Sequence, residues 1–499
     1  MTWWPMTLRR CWGTSVWLLV GIGAVTLLSL AGCGGHHQAC TGSVSGFVFG
    51  QPGDPGELRV AREASPPPSG FQPLAGALVT ITGSTATAAT GADGGFRLTP
   101  VAPGQQTVTI TAEGYATITV SAVVTAGQDT RVGSDALWTL LVYMDGDNNL
   151  EPFAIADMNE MESLAASSEV NLVVQIDRHP GYDKSNGDWT ATRRYRIEPD
   201  TDTAVIHSPM LADLGELDMA DPANLVDFLQ WGTSAFPAER YCLVLWNHGS
   251  GWVPAQRRPL TRAILYDFTS GTQMSLSQLQ SALAYGGPPM DLLVFDACDM
   301  ALIEVAWACK DGGRLMLASE ESEPAEGMPY ESVWAPLMAN PAMTAQELGS
   351  TMGERYVAAF PGWGVTQSLF DLAQTEALTE ALSGFADALS TAWPDHKSAI
   401  STAAADAQAY LLEDVHDLKH FAQLAKVEVP ETGGSVDGLS AAIGTAVLAN
   451  YKSGASVKDS YGVAIYLPFP ENYYDTRYDS TQFAQHSTWD DFLRLANGG

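Results

Sequence analysis

Two patterns of apolar and polar residues divide this chain into unlike parts. From Thr41 to about Val132, short runs alternate between apolar and polar positions, as in Ala77–Thr82 and Gln106–Thr111, and turn residues such as Asp93-Gly94 separate them. Alternation with a period of two is typical of strands that bury one face. The pattern predicts a small antiparallel, all-β sandwich domain over residues 41–132.

From Leu137 onward, continuous apolar runs of strand length alternate with stretches that have helical periodicity. Strands that are covered on both faces have this composition. The pattern predicts an α/β fold, an α/β/α sandwich with a mostly parallel sheet, over residues 135–499. The predicted strands are Leu137–Met144, Val170–Ile176, Tyr241–Trp246, Met290–Phe295 and Arg314–Ala318, and the predicted helices are Leu150–Ala166, Pro222–Ser234, Ser275–Tyr285 and Ala301–Lys310.

The N-terminus has the pattern of an export signal. Arg9 and Arg10 precede an apolar run from Val16 to Leu30, which leads through Ala31 and Gly32 into Cys33. A basic start, a short apolar run and small residues before a cleavage point are typical of a signal peptide, predicted here over residues 1–32.

The end of this signal resembles the bacterial lipobox. The resemblance implies a lipid on Cys33, a tether over residues 33–40 and a protein anchored in the bacterial cell envelope, in the periplasm or at the cell surface. The alternative is an ordinary secretion signal with a chance cysteine.

Composition narrows the classes of partner. The 499 residues include 57 acidic and 25 basic side chains, which gives a formal net charge of −32. Phosphate contact needs a basic footprint, so nucleic-acid binding is excluded, whereas a negative field concentrates cationic substrates. The cysteines are scattered and include no C-x-x-C pair, which argues against a disulfide scaffold or a zinc knuckle.

Polar side chains follow the predicted strands and indicate a site. In an open parallel sheet, functional groups gather beyond the carboxyl ends of the strands. His248 follows one strand and Cys298 follows the next, so an imidazole could take the proton of a thiol there if the strands are neighbours. The backbone N–H groups of Gly249 and Cys298 are candidates for an oxyanion hole.

Each of these residues also has a simpler interpretation. A cysteine after an apolar strand is often a small buried hydrophobe, and a lone histidine often packs or caps a neighbouring element. Ser250 is a rival nucleophile, but no G-x-S-x-G turn surrounds it, which disfavours a serine hydrolase.

Several long segments resemble the clostripain family of cysteine peptidases, over roughly residues 135–495. They are Trp138–Glu151, Trp246–Trp252, Asp291–Cys298, Ala318–Pro324 and Gly462–Pro468. The resemblance implies a caspase-like fold and a Cys-His dyad that cleaves after arginine or lysine. His248 matches the histidine of the H-G motif and Cys298 matches the nucleophile of the D-A-C motif. The interval of 50 residues between them agrees with the caspase spacing.

The β-rich segment also resembles a family, the carboxypeptidase regulatory-like domain. The resemblance rests on Gly76–Val79, Thr90–Phe96, Pro103-Gly104 and Glu113–Tyr115. It implies a folding or spacer module without catalytic residues.

Asp296 is the candidate for substrate recognition. Side chains two apart on a strand project to the same side, so its carboxylate could lie beside the thiol of Cys298. A carboxylate there would pair with arginine in a bidentate manner or with lysine as a point charge, and the clostripain resemblance implies the same role. Capping of the following helix is the alternative. Asp299, Glu320 and Glu321 are expected to add negative potential nearby.

Metal binding has weaker indications. Asp145–Asn149 begins like a calcium loop, but Leu150 stands where an EF-hand needs glycine and Ala156 where it needs glutamate. The dyad chemistry requires no cofactor, and the family resemblance leaves open a calcium site of another kind. Two pairs could approach a metal or form a solvated helix face, namely His416 with His420 and Asp414 with Asp417.

The densest basic stretch lies between His248 and Cys298. It runs from Gln256 to Ala263 and is predicted to be an exposed loop. Arg262-Ala263 is the expected bond for self-cleavage, with Arg257 or Arg258 as alternatives.

The sequence thus predicts a secreted or lipid-anchored cysteine endopeptidase whose partners are polypeptides with basic residues and, through Cys33, a membrane. The alternative is an inactive surface binding or adhesion protein on a peptidase fold.

Overall fold

The computed structural model describes residues 41–51, 53, 56–62, 71–133, 136–252, 264–469 and 474–498. The predicted signal peptide, the tether and the lipid site at Cys33 lie outside these residues. So do the predicted self-cleavage positions Arg257, Arg258, Arg262 and Ala263.

The N-terminal part is a β-sandwich, as its alternating pattern predicts. Its strands are β1 (Gly42–Gln51), β2 (Glu57–Ala61), β3 (Gln72–Pro73), β4 (Leu78–Ile81), β5 (Thr87–Ala89), β6 (Gly95–Val101), β7 (Gly104–Thr111), β8 (Ile118–Val124) and β9 (Asp129–Arg131). One sheet contains β1, β2, β3, β6 and β9, and the other contains β4, β5, β7 and β8. All pairs are antiparallel except β1 with β9. Fully buried side chains fill the space between the sheets, among them Val48, Val79, Leu98, Val108 and Ile110.

The larger part alternates strands and helices. Its elements are β10 (Trp138–Gly146), α1 (Glu151–Glu162), β11 (Val170–Arg178), β12 (Arg193–Arg196), β13 (Met210–Asp213), α2 (Pro222–Ala235), β14 (Arg240–Trp246), β15 (Ile264–Asp267), β16 (Thr272–Met274), α3 (Leu276–Leu283), β17 (Met290–Asp296), α4 (Ile303–Cys309), β18 (Gly313–Ala318), α5 (Tyr330–Ala339), α6 (Ala345–Ala359), β19 (Val365–Asp371), α7 (Thr375–Asp406), β20 (Val415–Asp417), α8 (Leu418–Glu428), α9 (Gly433–Ala446), β21 (Val447–Ser453), β22 (Ala464–Tyr466) and α10 (Trp489–Ala496).

Nine of these strands form one mixed sheet, in the order β13-β12-β11-β10-β14-β17-β18-β19-β21. The five central strands from β11 to β18 are parallel. The two outer strands on each side are antiparallel, so the parallel character predicted for the whole sheet holds for its centre. The outer strands were not predicted because they lack a continuous apolar run: β12 and β13 are short, β21 is half-exposed, and the buried β19 contains Thr366, Gln367 and Ser368.

Helices cover both faces of the sheet, which confirms the predicted α/β/α class. Alternate side chains of one strand belong to different cores: Leu141 and Leu243 pack with α2, α3, α4 and α7–α10, whereas Leu140 and Val244 pack with α1, α5 and α6. This alternation follows from the pleat of the strand. It explains why the central strands read as unbroken apolar runs.

Local signals in the sequence set several helix boundaries. Asp221 accepts a hydrogen bond from the N–H of Ala223 and caps α2, with Pro222 at the first helical position. Ser275 with Gln278 forms a capping box at α3. In the part of the chain that the structure describes, there is no helix with the length and apolar character needed to cross a membrane.

Candidate active site

The sheet brings the loops of His248 and Cys298 together. Strands β14 and β17 are parallel neighbours, and Trp246 lies opposite Asp296 in their register. His248 and Cys298 each lie two residues beyond this pair. The N–H of Asn247 donates to the carbonyl oxygen of Asp296 at 3.2 Å, so the pairing continues past the end of β14. The imidazole and the thiol therefore belong to adjacent loops at one edge of the sheet.

Gly249 brings these two loops into backbone contact. A Cβ atom on Gly249 would lie 2.2 Å from the carbonyl oxygen of Cys298 and 3.1 Å from its backbone nitrogen. A residue without a side chain is needed for so close an approach. The two predicted oxyanion donors, the N–H groups of Gly249 and Cys298, consequently belong to segments that touch.

Both predicted catalytic residues reach the surface among buried neighbours. His248 is half-buried between Asn247 and Gly249, and Cys298 is half-buried between Ala297 and Asp299. The other two described cysteines, Cys242 and Cys309, are fully buried in the two cores. Burial raises the pKa of each of these two thiols. Of the described thiols, Cys298 alone is open to a substrate.

Asn149 holds the imidazole of His248. Its Oδ1 atom lies 2.9 Å from Nε2 of His248, and it follows β10, the strand on the other side of β14. An amide oxygen only accepts, so Nε2 carries the proton and the neutral ring keeps its lone pair on Nδ1. Burial lowers the pKa of His248, which keeps the ring neutral at neutral pH and able to accept a proton.

The thiol of Cys298 is held in its neutral form. Its sulfur accepts the N–H of Glu323 at 3.2 Å, and its S–H points to the carbonyl oxygen of the same residue at 3.9 Å. Burial, and then the charges of Asp299 and Glu323, raise the pKa of Cys298 to about 12. Attack by this sulfur therefore requires a base that removes its proton.

The carboxylate of Asp296, the last residue of β17, contacts the start of α5 and not the start of α4, which is the next helix along the chain. Its carboxylate accepts the hydroxyl of Tyr330 at 2.6 Å and the N–H of Met328 at 3.1 Å. Burial raises the pKa of Asp296 to about 6, although both hydrogen bonds oppose the shift. The capping alternative is wrong, because α4 follows Leu302 and has no side-chain cap.

Two further carboxylates lie beside Asp296. Glu323 accepts the amide of Gln367 at 2.5 Å, and Asp157 accepts the indole N–H of Trp246 at 2.7 Å. Burial, and then the charge of Asp296, raise the pKa of both. Within the described ranges, these three carboxylates form no ion pair with lysine or arginine. Asp157, Asp296 and Glu323 are called the acidic pocket below.

The glutamates expected to add negative potential near the thiol, Glu320 and Glu321, have partners of their own, and Glu323 was not singled out from the sequence. Glu320 accepts the N–H of Gly462, and Glu321 accepts the N–H of Leu411, so both serve the segments that pack beyond β18. Glu323 belongs to the same acidic run, but only the fold distinguishes it from its neighbours. Ser250, the rival nucleophile, is fully buried.

The two pairs at helical spacing form neither a metal site nor a solvated helix face. His416 and Asp417 belong to β20, whereas His420 belongs to α8. His420 accepts the N–H of Gln408 through Nδ1 at 2.8 Å, and Asp417 caps α8. Burial lowers the pKa of His416 to about 4.

Comparison with known proteins identifies two families in this chain. Residues 142–495 match the model of the clostripain family, and residues 68–136 match that of the carboxypeptidase regulatory-like domain. Clostripain from Hathewaya histolytica is 30% identical over 190 residues, which cover 35% of this chain and 36% of that protein. The match thus spans about a third of the length of this curated relative.

Solved structures share the fold. A secreted C11 cysteine protease from Bacteroides thetaiotaomicron, in complex with an irreversible peptide inhibitor, is 22% identical, covers 73% of this chain and 100% of its own, and gives a TM-score of 0.54. An inactive zymogen C11 protease from Parabacteroides distasonis is 18% identical, covers 71% and 99%, and gives a TM-score of 0.55.

Asn149 is expected to position His248 and to set its proton affinity. Asn149→Ala removes the acceptor and should lower kcat/KM for peptide hydrolysis about tenfold, the effect of one hydrogen bond of about 1.4 kcal/mol. Asn149→Asp places a carboxylate beside the ring, which favours the imidazolium. The acid limb of the kcat/KM profile, which reports the base of the free enzyme, should then move to higher pH by about one unit.

The control is the thermal midpoint of unfolding, which should stay within about 1 °C of the wild type in both variants because Asn149 is exposed. An acid limb that stays in place in Asn149→Asp would contradict this role.

Proposed function

This chain belongs to the clostripain family, and we propose that it acts as a cysteine endopeptidase that hydrolyses peptide bonds after arginine or lysine. The observation that carries the proposal is the contact of Gly249 with Cys298, since it sets the histidine loop against the thiol loop. The partial exposure of His248 and Cys298 among buried neighbours supports it further, because a peptide can then reach both.

The proposed reaction uses groups of the chain alone. Nδ1 of His248 takes the proton of Cys298 while the sulfur attacks the scissile carbonyl carbon. The oxyanion that forms accepts hydrogen bonds from the N–H groups of Gly249 and Cys298. The intermediate collapses to a thioester, and His248 returns the proton to the leaving amine. His248 then takes a proton from a water molecule whose oxygen attacks the thioester carbon, and it gives that proton to the departing sulfur, which releases the carboxylic acid and restores the thiol.

The acidic pocket is the proposed site for the side chain that precedes the cut bond. Buried carboxylates without a cation are unfavourable, and a guanidinium or ammonium removes that penalty. Asp296 would pair with arginine in a bidentate manner or with lysine as a point charge. The same cation would offset the charge of Glu323, which helps to raise the pKa of Cys298. Binding of a basic side chain would therefore also ease the ionisation of the thiol.

The proposed setting is the bacterial cell envelope. Export by the signal over residues 1–32 and a lipid on Cys33 would anchor the chain, with the β-sandwich as a spacer below the peptidase domain. One of the related structures is described as a secreted protease. The proposed chemistry needs no cofactor. The family resemblance suggests that calcium assists the enzyme without taking part in the reaction.

The dyad is tested with fluorogenic peptides that carry arginine, lysine or aspartate before the reporter. The purified protein should cleave the arginine and lysine peptides, and iodoacetamide should abolish the activity. Cys298→Ala and His248→Ala should each lose about 10⁴-fold or more in kcat/KM, because nucleophile and base act as a unit. Cleavage that survives alkylation would contradict the thiol mechanism, and no cleavage by a folded wild type under reducing conditions with calcium would favour the inactive binding protein.

Asp296→Asn should separate specificity from catalysis. Losing the charge that meets a buried guanidinium is worth about 3–4 kcal/mol, so kcat/KM for the arginine peptide should fall about 10²- to 10³-fold. Glu331→Gln is the matched control, because it removes an exposed carboxylate next to Tyr330 and should change kcat/KM less than about twofold. An Asp296→Asn enzyme that keeps its full preference for arginine would remove this assignment.

Self-processing should depend on the protein's own thiol. The wild type is expected to appear as two fragments on a denaturing gel, cut between Arg262 and Ala263, whereas Cys298→Ala should remain whole. N-terminal sequencing of the C-terminal fragment decides between Arg262 and the alternatives Arg257 and Arg258. If the Cys298→Ala chain is cut at the same bond when it is produced alone, another protease makes the cut.

A further inference from the structure

A cavity of about 210 Å³ lies between α3, α4 and the segment that follows β22. Its walls include the first turn of α3, part of α4, residues 480–483 and the side chain of Trp252. Trp252 lies four residues after His248, but neither His248 nor Cys298 lines the cavity, so it is separate from the proposed peptidase site. Pockets for drug-sized ligands have about 300–1,000 Å³, so this cavity suits a smaller molecule.

Glu304 lines the cavity with a carboxylate of which only one oxygen is bound by the protein. Its Oε1 atom accepts the N–H of Tyr466 at 3.1 Å and the hydroxyl of Tyr478 at 2.8 Å. Its Oε2 atom is buried and has no hydrogen-bond partner in the described structure. Within the same residues, no lysine or arginine forms an ion pair with Glu304. Burial raises the pKa of Glu304 to about 7, although the two tyrosine hydrogen bonds oppose the shift. A cation that donates a hydrogen bond to Oε2 would stabilise this carboxylate.

Trp252 offers a hydrogen-bond donor to the same cavity. Its indole is buried and packs against Tyr466 and Tyr478, with ring centroids 4.4 and 4.6 Å away. Its Nε1–H group has no acceptor among the residues that the structure describes, although a buried tryptophan usually finds one. The first turn of α3 in the same wall adds the partial positive charge of a helix N-terminus. These two features favour an anionic acceptor such as a carboxylate.

We propose that this cavity binds a free α-amino acid with an apolar side chain. The ammonium group would bind Oε2 of Glu304, and the carboxylate would accept the N–H of Trp252 beside the first turn of α3. A cation and an anion that are joined through one carbon atom would thus satisfy both unpartnered buried groups at once. The apolar side chain would contact the rest of the wall, which includes Leu276, Trp307, Ala308 and Phe483.

Simpler ligands match this cavity less well. An amine without a carboxylate would leave the indole N–H of Trp252 without an acceptor, which is unfavourable for a buried donor. A carboxylic acid without an ammonium would add a second negative charge beside Glu304. Arg477 also lines the cavity, but it binds Asp475 through Nε at 2.9 Å and Nη2 at 2.5 Å, so its charge is already paired.

The site is tested by calorimetric titration of the purified Cys298→Ala protein with L-leucine and L-phenylalanine. At least one of them should bind saturably, with a Kd below about 1 mM. N-acetyl-L-leucine lacks the ammonium, and L-leucinamide lacks the carboxylate. Each should bind at least about tenfold more weakly than L-leucine, because each loses a charge-assisted hydrogen bond.

Two variants alter the cavity in different ways. Glu304→Gln keeps an acceptor for the two tyrosines but removes the charge, whereas Ala308→Leu fills part of the space. Each should weaken binding of the amino acid at least about tenfold, and thermal unfolding without ligand identifies a variant that is not folded. Glu380→Gln and Ala377→Leu are the matched controls at exposed positions of α7 and should leave the affinity unchanged.

The outcomes separate this site from the peptidase. The absence of saturable binding of either amino acid to the parent protein overturns the site, and so does unchanged affinity in a folded Glu304→Gln or Ala308→Leu variant. Equal affinity for L-leucine, N-acetyl-L-leucine and L-leucinamide overturns the assignment to an amino acid. Because binding is measured on a protein without the catalytic thiol, a wild type without peptidase activity would refute only the proposed function.

Discussion

The parallel pairing of β14 with β17, continued by the contact of Gly249 with Cys298, is the constraint on which the site depends. The register fixes how far each loop extends beyond the sheet, and the missing side chain at position 249 lets one loop lie against the backbone of the other. Strand β10 on the far side of β14 supplies Asn149, which orients the ring. Three adjacent strands thus build the arrangement from rigid elements, which preorganised catalysis requires.

Negative charge without an ion-pair partner is a second feature of the sheet edge that carries His248 and Cys298. The acidic pocket beside Cys298 buries carboxylates, and in the described part of the chain none of them has a lysine or arginine as an ion-pair partner. Under the proposed function, the basic side chain of a substrate would supply the missing positive charge.

The centre of the fold was predictable because it depends on local patterns. The five central strands and four of the helices follow from apolar runs and helical periodicity, and the fold class and the family are confirmed. The edge strands β12, β13 and β21 are short or half-exposed and have weaker patterns, polar residues interrupt the apolar pattern of the buried β19, and the helices after α4 were not assigned from the sequence. Glu323 and Asn149 act through contacts between distant segments, which a linear sequence does not show. For Asp296 the sequence offered capping of the next helix as the alternative role. Its actual partners, Met328 and Tyr330 at the start of α5, are distant in the sequence and reach it only in the folded chain.

The central claim is that Cys298, beside the acidic pocket, is the reactive thiol among the described cysteines and meets substrates with a basic side chain. Its most direct test is labelling of the intact protein with two irreversible peptidyl ketones that differ only in arginine or aspartate at the reacting residue, followed by peptide mapping by mass spectrometry. The account predicts a single adduct on Cys298, formed at least about 100-fold faster by the arginine reagent. An adduct on Cys242 or Cys309, or equal rates for the two reagents, would contradict it.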